Sequence, residues 1–78
     1  MTREMPIRGE TITLGQLLKL AGVVDSGSEV KALLAAEPAR VNGEREARRG
    51  RQLRLGDSVR IGEHDLRVIA DAPGEQPA

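Results

Sequence analysis

The apolar residues of this chain change their spacing once, at Pro38. Before Pro38 they recur every three or four residues, as on one face of a helix. After it they alternate with polar residues, as in a strand. A chain of 78 residues has room for one core, so both halves must bury their apolar faces together. The sequence therefore predicts an α+β domain in which two short helices pack on a small antiparallel β-sheet.

Two capping-box patterns mark the starts of the predicted helices. Thr13 is followed three residues later by Gln16, and Ser26 by Glu29. Apolar side chains follow at helical spacing, namely Leu14, Leu17, Leu18 and Ala21 in the first helix and Val30, Leu33 and Leu34 in the second. Pro38 ends the second helix, so both helices are predicted within residues 14–36.

A β-hairpin is predicted at Asn42-Gly43, a dipeptide typical of two-residue turns. Residues 10–13 are a candidate edge strand, and residues 44–51 are too charged for burial. Alternation predicts inward-facing side chains in the strands, namely Ala39, Val41, Leu53, Leu55, Val59, Ile61, Leu66, Val68 and Ala70. The predicted domain therefore spans residues 10–70, between a flexible amino terminus at residues 1–9 and a disordered tail at residues 71–78.

Charge is segregated along a chain whose formal net charge is zero. Residues 40–60 contain seven arginines against three carboxylates, a local charge of +4. Residues 61–78 contain one arginine against four carboxylates, a local charge of −3. A net charge of zero thus conceals a positively charged segment in the middle of the chain.

The sequence contains few residues that could form a catalytic site or a metal site. Cysteine is absent, and the single histidine, His64, lies in a predicted turn without a nucleophile beside it. Glu63, His64 and Asp65 are consecutive, so their side chains diverge and favour no metal site. No phosphate-binding glycine loop is present. We therefore expect a protein that is not an enzyme and needs no cofactor or metal.

The start of the chain contains no apolar stretch long enough for a signal peptide or a membrane span. A cytoplasmic location, without membrane association, is therefore expected.

A basic constellation remains as the candidate binding site. It consists of the cations Lys19, Lys31, Arg45, Arg48, Arg49 and Arg51, with Ser26 and Asn42 as neutral hydrogen-bonding groups. Arginine can bind two phosphate oxygens at once, and lysine adds a mobile positive charge. The alternative is a solvated charged face, with Ser26 as a helix cap and Asn42 as a turn former.

Several motifs in this order resemble the S4 RNA-binding domain, in particular the small stand-alone bacterial members. They are Ile12-Thr13-Leu14 with Leu17-Leu18-Lys19, residues 25–31, Val41-Asn42-Gly43-Glu44, Arg48-Arg49-Gly50-Arg51 and Gly56-Asp57-Ser58-Val59. The resemblance covers about residues 10–68 and implies an αL motif, in which two helices and the following hairpin bind RNA. Ser28, Val30 and Glu37-Pro38 depart from the usual pattern of that family.

Carried over residue by residue, the resemblance implies RNA contacts by Lys19, Ser26, Lys31, Asn42, Arg48, Arg49 and Arg51. The implied partner is structured RNA: ribosomal RNA, transfer RNA or a ribosome assembly intermediate, bound by a monomer. The absence of Phe, Tyr and Trp fits recognition of shape and phosphate, because unpaired bases usually stack on aromatic side chains.

Two other functions stay open at this stage. Sulfur carriers of the β-grasp kind share Val-Asn-Gly-Glu and a later Gly-Asp-x-Val, but they need a strand, a helix and a strand before the first motif and a terminal Gly-Gly. A protein-interaction module could dock a partner on an apolar helix face or a sheet edge.

Overall fold

The structure is a computed structural model that describes residues 2–71. The elements in chain order are β1 (Arg3–Ile7), β2 (Thr11–Thr13), α1 (Leu14–Leu20), α2 (Gly27–Ala36), β3 (Ala39–Val41), β4 (Glu44–Glu46), β5 (Gln52–Arg54), β6 (Ser58–Ile61) and β7 (His64–Ala70). Five strands form one sheet in the order β1, β7, β6, β3, β4, while β2 and β5 form a separate pair. The predicted α+β class, with two helices on a sheet, is confirmed.

The amino terminus corrects one prediction. Residues 1–9 are predicted to be flexible, yet β1 lies parallel to β7, with Arg3 opposite Leu66. Met5 and Ile7 alternate into the core, each 6% exposed, and β1 covers an edge that β7 would otherwise leave open. The sheet is therefore mixed, not wholly antiparallel. Of the predicted tail, Asp71 donates its backbone N–H to the Ile7 carbonyl at 3.0 Å, and residues 72–78 lie outside the described residues.

Both helices begin where the capping patterns predict. Thr13 accepts the Gln16 N–H, and the Gln16 side chain accepts the Thr13 N–H, each at 3.2 Å. Ser26 caps α2 by accepting the Glu29 N–H at 3.4 Å. The Glu29 carboxylate instead accepts the Asp25 N–H at 2.7 Å, so this second box is only half formed.

The core lies between the helices and one face of the large sheet. The predicted core residues of the helices are buried there, except that Leu33 is only partly buried. The predicted core residues of the strands are also buried, with two exceptions. Leu55 is 42% exposed because β5 ends at Arg54 and the chain turns at Gly56, whose φ is +93°. Ala70, at the end of β7, is also exposed.

Two consecutive helices precede β3, whereas a β-grasp carrier needs a strand, a helix and a strand there. Neither of the helices in the described part of the chain is long and apolar enough to span a membrane.

Candidate nucleic-acid interface

The segment between β4 and β5, residues 47–51, packs against the start of α1. Its carbonyls at Arg49 and Arg51 accept the N–H groups of Gly15 and Leu14, both at 2.9 Å. N–H groups in the first turn of a helix have no partner within the helix, so this segment, here named the docking loop, satisfies two of them.

Gly15 permits the close approach of the docking loop. A Cβ atom at this position would lie 3.4 Å from the Cβ and the carbonyl oxygen of Arg49, and 3.4 Å from Val30. A methyl group would just make contact at these distances, whereas the further atoms of a side chain larger than alanine would have to displace the docking loop or Val30.

Arg49 lies between the two helices. Its Nη1 donates to the Gly27 carbonyl at the start of α2, at 3.4 Å. With Lys19 on α1 it lines a cleft of about 260 Å³, whose floor includes Gly15 and Val30. With Lys31 on α2 it lines an adjoining cleft together with Ala35 and Ala47. We name these two clefts, with their cations Lys19, Lys31 and Arg49, the helix–loop groove.

Glu46 corrects the prediction that residues 44–51 are too charged for burial. Its side chain is only 7% exposed, and alternation along β4 turns it inward. It accepts Arg48 Nε at 3.0 Å, Arg48 Nη2 at 3.2 Å and the Arg48 backbone N–H at 3.0 Å. It also accepts Arg51 Nη1 at 2.9 Å. A buried carboxylate is tolerated here because several charged or polar donors surround it.

These hydrogen bonds change the charge that the docking loop offers. Donation first from the Arg48 side chain, then from its backbone and from Arg51, lowers the pKa of Glu46 to about 2. Glu46 in turn raises the pKa of Arg48. One negative charge is therefore shared between two of the predicted RNA-binding arginines, although the Arg48 side chain is still 77% exposed.

The two neutral members of the predicted site have structural partners. Ser26 caps α2, and its hydroxyl also lies 3.2 Å from that of Ser28. Asn42 has a positive φ of +52° in the hairpin turn, donates to Asp57 Oδ1 at 3.1 Å and accepts the Ser58 N–H at 2.9 Å. Both side chains thus fit the cap and turn roles that the sequence left open.

Arg45 is separated from the rest of the predicted set. It directly precedes the buried, inward-facing Glu46 on β4, so alternation points it to the outer face of the sheet, away from the helices. It lies directly opposite Arg40 on β3, which lies directly opposite Arg60 on β6. Sequence analysis had not singled out Arg40 and Arg60. A two-residue turn at Asn42-Gly43 pairs residues 40 and 45, so the first of these pairs could have been found from the hairpin signal.

Residues 2–71 contain no cluster of three His, Asp or Glu side chains arranged to hold a metal ion. His64 is exposed, but it is the first residue of β7 and not part of the turn in which the sequence placed it.

Comparison with known proteins identifies a family and a relative. The profile of a family described as S4 domain matches residues 5–69. A protein of Bacillus subtilis (strain 168) named "Probable ribosome maturation protein RlbA" is 48% identical over 61 residues, which cover 78% of this chain and 86% of that protein.

Proposed function

The chain belongs to the S4 domain family, and on that premise we propose that it binds structured RNA through the helix–loop groove and catalyses no reaction itself. The observation that carries the proposal is the placement of Arg49 between Lys19 and Lys31. Three cations along two clefts that share Arg49 suit a phosphate backbone, with the arginine as a two-pronged donor and the lysines as mobile charges.

The full proposed contact set is the one expected from the sequence: Lys19, Ser26, Lys31, Asn42, Arg45, Arg48, Arg49 and Arg51. We expect these residues to contribute unequally to the affinity for RNA. Lys19, Lys31 and Arg49 have no carboxylate within ion-pairing distance among the described residues, so we place phosphate binding there first. Arg48 and Arg51 contribute less net charge because they share Glu46. Ser26 and Asn42 contribute by fixing the backbone that presents their neighbours.

Recognition of shape and phosphate spacing is the mode that fits this surface. Phe, Tyr and Trp are absent from the chain, so stacking of unpaired bases has no aromatic platform. RNA helices offer phosphates and 2′-hydroxyl groups across a wide, shallow minor groove, which such a surface can follow.

The similarity to a protein named for ribosome maturation supports ribosomal RNA or a ribosome assembly intermediate as the target, with transfer RNA as the alternative. We further propose that the protein acts in the cytoplasm and as a monomer.

The test is a titration of the protein against a ribosomal RNA fragment and a transfer RNA at two salt concentrations. Replacement of Lys31 and Arg49 by Gln should weaken binding roughly 10- to 100-fold, because two charge-assisted contacts of about 1 kcal/mol or more are lost. It should also flatten the slope of log affinity against log salt by about two.

The matched control replaces Arg8 and Arg54 by Gln. It removes the same charge outside the clefts that form the groove and should leave most of the affinity. Wild-type protein without measurable affinity for either RNA, or equal losses in the two double variants, would contradict the proposal.

A further inference from the structure

The outer face of the large sheet carries a second set of cations. One face of the sheet contributes to the core with the helices, and on the opposite face the described side chains of β4, β3 and β6 are exposed or half-buried. On these three adjacent strands, Arg45, Arg40 and Arg60 lie side by side in direct register. Directly opposite side chains in a sheet have Cβ atoms about 5 Å apart, so the three form a compact line of charge. We name this line the arginine row.

The arginine row is weakly neutralised. None of the ion pairs in residues 2–71 involves its members. The nearest carboxylate in register is Asp65, opposite Arg60 at one end of the row, and its Oδ2 accepts the Thr2 hydroxyl at 3.3 Å. Arg40 donates one hydrogen bond, to the Gly43 carbonyl at 3.3 Å, and retains other donors.

This arrangement works against folding, because like charges directly opposite each other in a sheet repel. The strands around it otherwise follow the expected alternation, with Val41, Val59 and Ala39 buried on the inner side. A local departure from favourable pairing in an otherwise consistent sheet is typical of a functional surface.

We propose that the arginine row is a second RNA-phosphate contact, so that one domain holds two RNA segments, one on each face. RNA is favoured over an acidic protein by the neighbours of the row. On the strands β4, β3 and β6 the other outward position is Ser58, and these strands present no large apolar side chain to the outer side. Protein interfaces usually bury aromatic residues beside their central arginines, whereas phosphate binding by arginine needs no such neighbour.

The choice of RNA as the occupant rests on the proposed function, but the site is separate from the helix–loop groove. It lies on the other side of the sheet from the helices. Two RNA segments could therefore bind at once, and Arg45, the one member of the proposed contact set on the outer face of the sheet, would belong to the second contact.

The test is a bridging assay with two copies of a short RNA hairpin, one immobilised and one labelled. Wild-type protein should retain the labelled hairpin on the support. The row variant, Arg40→Gln with Arg60→Gln, should still bind the immobilised hairpin but should retain at least tenfold less of the labelled one. The groove variant, Lys31→Gln with Arg49→Gln, removes the same charge and provides the comparison. Circular dichroism checks that each variant is folded.

The outcomes separate the two proposals. Loss of bridging in the row variant, with a salt slope flatter by about one to two, supports the second contact. Bridging by the row variant at the wild-type level overturns the second contact, and an acidic protein surface then becomes the expected ligand of the arginine row. Bridging through a protein dimer, in which each copy binds one hairpin in its groove, would give this same result. Absence of any binding by wild-type protein, or binding insensitive to the groove variant, counts instead against the helix–loop groove.

Discussion

Two arginine-rich regions are interleaved between residues 40 and 60 and offer different charge to a ligand. In the docking loop, Arg48 and Arg51 share the buried carboxylate of Glu46. In the arginine row, Arg40, Arg45 and Arg60 have no ion pair within the described residues. Strand β4 takes part in both regions, because Arg45 points outward into the row while Glu46 points inward and binds the docking-loop arginines. The number of arginines in a segment therefore does not measure the charge available for binding; the register of the strand decides it.

The difference also separates two roles for arginine. Arg48 and Arg51 fasten the docking loop to β4, and that loop places Arg49 above Gly15. Among residues 2–71, the side chains of the arginine row make one hydrogen bond, from Arg40 to the Gly43 carbonyl in its own turn. We therefore expect replacements in the docking loop to weaken the fold and replacements in the row to leave it intact or strengthen it.

The largest effect is expected from Glu46→Gln. The substitution removes the charge that accepts hydrogen bonds from Arg48 and Arg51 but keeps the size of the side chain. The free energy of unfolding should fall by about 1–2 kcal/mol, less than for a fully buried pair, because both arginines can still reach water. Chemical denaturation followed by circular dichroism measures this change.

Glu44→Gln is the matched control for that measurement. Glu44 lies two residues earlier on the same strand and is exposed, so its replacement should change stability by less than about 0.5 kcal/mol. Equal effects of the two substitutions would show that Glu46 is not the anchor of the docking loop and would remove the contrast with the arginine row.

Lowering the pH tests the same role of Glu46, and the expected change in unfolding free energy is smaller. The pKa of Glu46 is lowered from 4.5 to about 2 in the folded protein, so its contribution to stability is fully present above about pH 4.5 and is lost as the pH falls toward 2. The difference in unfolding free energy between wild type and Glu46→Gln should therefore shrink over this interval at constant ionic strength. A difference that stays constant from pH 6 to pH 2 would contradict this role of Glu46.

Much of the fold can be predicted from local signals. Thr13 and Ser26 mark the helix starts because their side chains satisfy backbone N–H groups within three residues. Asn42 and Gly43 both adopt positive φ, as a two-residue hairpin turn requires. Each of these features depends on residues close together in sequence, so the pattern alone is sufficient.

Strand β1 cannot be found in this way. Met5 and Ile7 alternate correctly, but the segment is short, contains Pro6, and pairs with a strand that begins about sixty residues later. Its stability comes from that distant partner and from burial in a shared core, neither of which is visible in five residues.

The candidate site shows a similar limit. Lys19, Lys31 and Arg49 were predicted together, and in the structure each lysine lines a cleft that it shares with Arg49. The burial of Glu46 was missed, because a high local charge favours exposure unless donors converge on the carboxylate. That convergence depends on how the docking loop folds back onto β4, which no pattern of charges specifies.

The smallest expected effect, Arg40→Thr, tests the arginine row. Threonine is favoured in strands, so part of any gain in stability would come from propensity. Arg54→Thr provides the control, because Arg54 is an exposed strand residue that lies opposite Thr11 and not opposite another arginine. Relief of repulsion from Arg45 and Arg60 should make Arg40→Thr more stable than Arg54→Thr by about 0.5 kcal/mol at low salt. At 1 M salt, where the screening length is about 3 Å, the two variants should become equal. A gain that persists at high salt would point to propensity or packing, and the row would then carry no unbalanced charge for an RNA to neutralise.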